Sequence, residues 1–155
     1  MDDLTIARAL HVVAVVHWIG GVSMVTLVIL PGLRSVLPEQ RLWLFEAIES
    51  RFAAQARIST LIAGLTGFYM THRLGAWYRF LDPNFWWMHA MVVIWVIFIV
   101  VLFIAEPLFL HRWFKARAEK DPGGSFRLAH DLHIGLLAIS LVTVAAAVMG
   151  AHGGL

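Results

Sequence analysis

The 155-residue chain has no cysteine. That absence excludes a disulfide, a thiolate zinc site, an iron–sulfur cluster and a covalently attached c-type haem, so any metal or cofactor rests on His, Met, carboxylates or packing. Charge is scarce as well. Asp, Glu, Lys and Arg make up 14% of the residues and apolar residues 60%, against roughly 25% and 45 to 50% in an ordinary soluble domain. This balance predicts a membrane protein. The formal net charge is only +2, and the twelve Lys and Arg are spread around apolar runs, so nucleic acid is not an expected partner. No P-loop, dinucleotide Gly motif, HExxH or Ser/His/Asp order gives hydrolysis or nucleotide chemistry a carrier. The abundant residues are eight His and seven Trp.

A bilayer core of roughly 30 Å needs about 20 apolar residues in a helix. Four stretches meet that length, at about 6–30, 58–76, 86–110 and 132–151. The expected fold is therefore an all-α, single-domain bundle of four transmembrane helices over residues 1–155. Pro31-Gly32 reads as the stop of the first span and Asp121-Pro122-Gly123-Gly124-Ser125 as a breaker before the fourth. Residues 38–57, with Leu42, Phe45, Ile48 and Phe52 at helical spacing, read as an interfacial helix or an extension of the second span beginning near Pro38. The acidic leader Met1-Asp2-Asp3 and the length of the first apolar run predict that the first span is retained.

Positive charge sets an orientation. Arg34, Arg41, Arg51, Arg57, Arg112, Lys115, Arg117, Lys120 and Arg127 fall in the first and third loops, whereas Arg8, Arg73 and Arg79 fall on the other side. Both termini are thus expected on the periplasmic face of a bacterial inner membrane. Trp77, Trp86 and Trp87 would form the outer aromatic belt, with Trp113 at the inner interface.

In this frame His11, His72, His89 and His152 fall near the outer surface, and His111, His130 and His133 near the inner one. His17 lies about 9 Å deeper than His11, and the two point about 120° apart, so one ion cannot use both from one face. Imidazoles at membrane depth face the bundle interior, where they pair, carry protons or ligate metal. The structural alternatives are solvated interfacial side chains for His72, His111 and His152, headgroup or capping roles for His130 and His133, and hydrogen-bonded core positions for His11, His17 and His89. Gly20 and Gly21 follow His17 on its own helical face, and Thr60, Gly64, Gly67 and Thr71 form a small-residue stripe. Such residues serve either close helix packing or a cleft for a flat macrocycle. Met70 near His72, and Met88-His89-Ala90-Met91, place thioethers beside imidazoles, a donor set suited to Cu(I) or to a haem iron. Glu106, in an apolar run before Pro107, reads first as an ion-pair partner of Arg57 or Arg112 and second as a proton or cation relay.

The segment Leu10-His11-Val12-Val13-Ala14-Val15-Val16-His17-Trp18-Ile19-Gly20-Gly21, with its exit at Leu30-Pro31, resembles the opening helix of two membrane families. These are the HemJ-type protoporphyrinogen oxidases and the CopD-type copper-resistance proteins. Glu49-Ser50-Arg51 extends the likeness to the first family, as does Trp87-Met88-His89-Ala90-Met91, where Met91 stands at the position of that family's lysine. The resemblance implies a four-helix bundle binding b-type haem, with His11 and His89 as the matched histidines.

The resulting expectation is a cytochrome b-like protein holding one haem or two through His11, His17, His72 and His89. It would transfer electrons from, or oxidise, a quinol or porphyrin-like reductant, with a quinone or redox protein as partner. As an enzyme it would be a haem-dependent oxidoreductase. A second expectation is CopD-like Cu(I) binding or transport through Met70, His72, Met88, His89 and Met91 at the outer mouth; the metal candidates as a whole are His11, His17, His72, His89 and Met91, with His130, His133 and His152 as lesser ones. A third is a non-catalytic anchor subunit, and the Gly150 and Gly154 spacing is compatible with a homodimer.

Overall fold

A computed structural model describes residues 2–154. Among them every regular element is helical. Four long helices account for the chain: α1 (Asp3–Ser35), α2 (Pro38–Arg73), α3 (Pro83–Lys120) and α4 (Pro122–Ala151). α1, α3 and α4 are long and apolar enough to cross a membrane. α2 is 36 residues long but carries Glu39, Arg41, Glu46, Glu49 and Arg51 in its first half and Arg57 just beyond it.

Pro31, expected to end the first span, is instead absorbed by a wider turn, and so is Pro107 within the third. A proline lacks the N–H of the α-helical ladder and crowds the carbonyl four residues back, conflicts that a local i→i+5 turn relieves. Before Pro31 the backbone widens into a π turn at Val25–Ile29, where the Leu30 N–H reaches back to the Val25 carbonyl. α1 therefore runs on to Ser35. Around Pro107 the π-helical stretch is Val101–Leu110, and α3 continues to Lys120. Asp121-Pro122 likewise starts a helix instead of forming a loop. The Asp121 carboxylate accepts the Gly124 N–H at 2.9 Å, and proline suits the first helical turn because its missing N–H would be unpaired there anyway. α2 ends where Gly75 takes a left-handed conformation (φ 60°), with its N–H donated to the His72 carbonyl.

α1 packs along α2 and α4, and α3 packs against the same two helices, so α1 and α3 oppose each other across the bundle. They meet where Trp18 and Phe98 pack edge to face, 4.7 Å between ring centres, among Ile19, Val22, Ile94 and Leu102. At the arginine-rich end Phe45, Phe114 and Phe126 form a mutually packed trio. At the opposite end Asp3 Oδ2 accepts from Tyr69 Oη at 2.7 Å and from Arg73 Nε at 3.1 Å, tying the start of α1 to the end of α2. The small-residue stripe of α2 is occupied by side chains: Trp95 lies over Gly64 and donates its indole N–H to the Thr60 carbonyl at 2.9 Å, and His11 sits against Gly67.

The outside of the bundle is apolar too. Val13, Val16 and Leu65 are 65%, 66% and 71% exposed, and they belong to a much larger set of outward-facing aliphatic residues. An apolar exterior combined with three membrane-length helices is the surface of an integral membrane protein.

Candidate functional site

The four principal histidines do not converge. His11 is half-buried between α1 and α2, and its Nδ1 lies 2.9 Å from the Ala63 carbonyl and 3.1 Å from Thr66 Oγ1. A carbonyl can only accept, so Nδ1 carries the proton and Nε2 the lone pair. His89 has a backbone carbonyl beside each ring nitrogen, and a neutral ring donates to one of them. Nε2 is 3.0 Å from the Phe80 carbonyl and Nδ1 is 3.3 Å from the Phe85 carbonyl, so the ring clasps the short turns at Ala76–Leu81 and Pro83–Phe85 onto α3. His72 is exposed at the end of α2. His17 is exposed on α1, with no hydrogen bond to its ring among the described residues.

The lesser candidates are held by other contacts. Arg34 donates to His130 Nδ1 at 3.0 Å, while Nδ1 of His133 and of His152 each donate one turn back, to the Ala129 and Val148 carbonyls at 2.8 Å. Met88 is buried against Trp87 and Ala146, and Met91 packs on the same cluster. Among the described residues no three His, Asp or Glu side chains gather in a metal-holding group.

His17 does open on a cavity. A groove of about 830 Å³ runs between α1 and the first half of α2. That volume is within the roughly 300 to 1,000 Å³ range of small-molecule and cofactor sites. The α1 wall is His17, Gly20, Gly21 and Met24, which share one helical face by their spacing of three and four residues. The α2 wall is Trp43, Ile48, Arg51, Phe52 and Gln55. Gln55 Nε2 donates to the His17 carbonyl at 3.4 Å, which sets the two walls in register. The two glycines do different work. A Cβ at Gly21 would come within 2.6 Å of the Phe52 ring, so that residue permits the helices to approach, whereas a Cβ at Gly20 would meet nothing within 4 Å.

The face of His17, Gly20 and Gly21 was legible in the sequence. The opposing wall was not, because Arg51 and Gln55 come from a helix more than thirty residues away and carry no motif for this geometry.

The opposite face of α2 borders a second cavity, of about 270 Å³, lined by Glu46, Glu49, Ser50, Glu106, Pro107 and His111. Arg57 pairs with Glu106, the first of the two partners expected for that glutamate. Its Nε also donates to the Leu102 carbonyl at 2.9 Å. In a π turn that carbonyl would accept from residue 107, but proline has no N–H to give, so the guanidinium replaces it. Glu46 lies 3.8 Å from His111 Nε2.

Glu49, in the charged half of α2 outside the apolar spans, has neither an ion-pair nor a hydrogen-bond partner for its carboxylate among the described residues. Burial first, then the charges of Glu106 and Glu46, push its carboxyl up to about 7 from an ordinary 4.5. The folded state thus retains a proton that the unfolded chain releases. The contribution of Glu49 to stability is therefore full below about pH 4.5, falls as pH rises towards 7 and is level above it, a total of about 3 kcal/mol. Glu49→Gln is expected to flatten this slope in thermal unfolding measured from pH 5 to pH 8. An unchanged slope would place the titrating group elsewhere.

No protein-family model, curated protein or solved structure matches the chain.

Proposed function

We propose that the chain is a four-span protein of the bacterial inner membrane that binds b-type haem in the α1–α2 groove and carries electrons between a quinol or porphyrin-like reductant and a redox partner. The second half of α2 is the fourth span in this reading, and the nine Lys and Arg of the first and third loops put both termini on the periplasmic side. The observation that carries the cofactor assignment is the groove itself: about 830 Å³, largely apolar, with an imidazole on one wall that makes no internal hydrogen bond among the described residues.

Of the groove's residues, His17 would supply one ligand to a haem iron. Neutral imidazole is an ordinary haem ligand, and His17 is the principal histidine that lines this groove. Bound haem supplies reversible one-electron chemistry, and the protein supplies ligation, burial and tuning of the potential. Gly20 leaves the groove clear of side-chain volume beside the imidazole, and Gln55 braces the α1 backbone at His17. Trp43 and Phe52 offer aromatic surface to a flat ring. His11 and His89 hold helices and turns together through the carbonyl contacts described above, and so act on the bundle and not on the ligand.

The test is haem retention in four single variants purified after expression with added haem. His17→Ala is expected to lower haem per chain at least about tenfold, as loss of a ligand should exceed the cost of losing a supporting contact. His11→Ala, His72→Ala and His89→Ala are expected to keep it wherever they fold. Full haem in His17→Ala would end the assignment.

A further inference from the structure

We propose that the groove selects a planar apolar ligand bearing a carboxylate, and that Arg51 is the anchor for that carboxylate. This rests on the groove being the ligand site, and it adds the chemical class and orientation of what enters.

The argument begins with helix phase. At about 100° per residue, Leu44, Ala47, Ile48 and Gln55 share the face of Arg51, whereas Glu46, Glu49 and Arg57 lie on the opposite face. The glutamates nearest to Arg51 in sequence therefore border the other cavity. Among the described residues the ion pairs are Arg57 with Glu106, Arg73 with Asp3 and His111 with Glu46, and none includes Arg51. Arg51, an exposed residue, thus borders a mainly apolar groove and has no carboxylate to meet it among the described residues. Its guanidinium attracts an anion, and its planar fork of N–H donors matches a carboxylate with two parallel hydrogen bonds. The apolar and aromatic remainder of the lining suits a flat hydrophobic body.

The register supplies a direction. Gln55 reaches the His17 carbonyl, and Arg51 lies one helical turn, about 6 Å, closer to the arginine-rich end. The ligand's carboxylate therefore faces that end and its apolar body extends past Gly20 and Gly21 towards His17.

Pyrenebutanoate and its uncharged methyl ester are suitable probes, because they share a flat apolar body and differ in the carboxylate. The full chain is placed in phosphatidylcholine nanodiscs, and energy transfer from tryptophan to pyrene is measured against a Trp43→Phe reference. Arg51→Gln is expected to weaken pyrenebutanoate binding at least about tenfold while leaving the ester unchanged, with partial recovery in Arg51→Lys. Equal binding of acid and ester by the unaltered protein would overturn the proposal, as would an equal loss of both in Arg51→Gln. If adding phosphatidylglycerol abolished the preference for the acid, Arg51 would be a lipid-headgroup contact and the proposal would fall. Failure of haem ligation would show as full haem in His17→Ala, whereas failure of the anchor would show as equal binding of the acid and the ester, so the two give different results.

Discussion

Arg57→Leu is expected to destabilise the folded protein by about 3 kcal/mol, read as a lowered thermal midpoint in detergent. The substitution removes two interactions with one side chain. The Glu106 carboxylate, only 21% exposed, loses its ion-pair partner, and the Leu102 carbonyl loses the donor that stands in for Pro107. An unpaired charge in a weakly solvated place costs more than the intact pair contributes, which is why removing both partners should be milder than removing one. The double variant Arg57→Leu/Glu106→Leu is accordingly expected to recover much of the loss. Pro107→Ala should also soften the effect of Arg57→Leu, because alanine returns an N–H to the π-helical ladder. If the double variant were no more stable than Arg57→Leu alone, the carbonyl contact and not the ion pair would be the dominant interaction.

Gly64→Leu is expected to cost about 3 kcal/mol or more through a different route, the separation of α2 from α3. A Cβ at that position would come within 2.5 Å of the Trp95 indole, whose N–H is committed to the Thr60 carbonyl one turn away. Either the ring leaves and an indole donor and a backbone acceptor lose each other, or the helices part. Even Gly64→Ala should be felt. Gly135→Ala is the contrasting case, because nothing lies within 4 Å of its added Cβ, and it should be neutral or slightly stabilising in thermal unfolding. Comparable losses at the two positions would mean that helix flexibility, and not the Trp95 contact, governs both.

Helix content was readable from hydropathy because each apolar stretch is long and its period is not interrupted by turn chemistry. The course of the backbone at Pro31 and Pro107 was less readable. Proline removes a donor wherever it stands, but whether the helix stops or widens depends on partners such as Arg57, which lies fifty residues from Pro107. The site divides in the same manner. His17, Gly20 and Gly21 belong to one helix and their shared face follows from spacing, so half of the groove was visible in the chain itself. Arg51 became relevant only once α2 was laid antiparallel to α1 with Gln55 beside His17. His89, which a family resemblance matched to a haem histidine, lies beside the carbonyls of Phe80 and Phe85. That contact depends on how the 76–85 segment folds back, and hydropathy carries no record of it.

The most direct measurement is the absorption spectrum of the purified protein, oxidised and then reduced with dithionite, after haem has been supplied during expression and again on reconstitution. A Soret band accompanied by a broad, five-coordinate type of reduced spectrum, at about one haem per chain and absent from His17→Ala, is the result expected when one imidazole lines the groove. A protein that stays colourless under both conditions, or one whose haem survives unchanged in His17→Ala, would contradict the account.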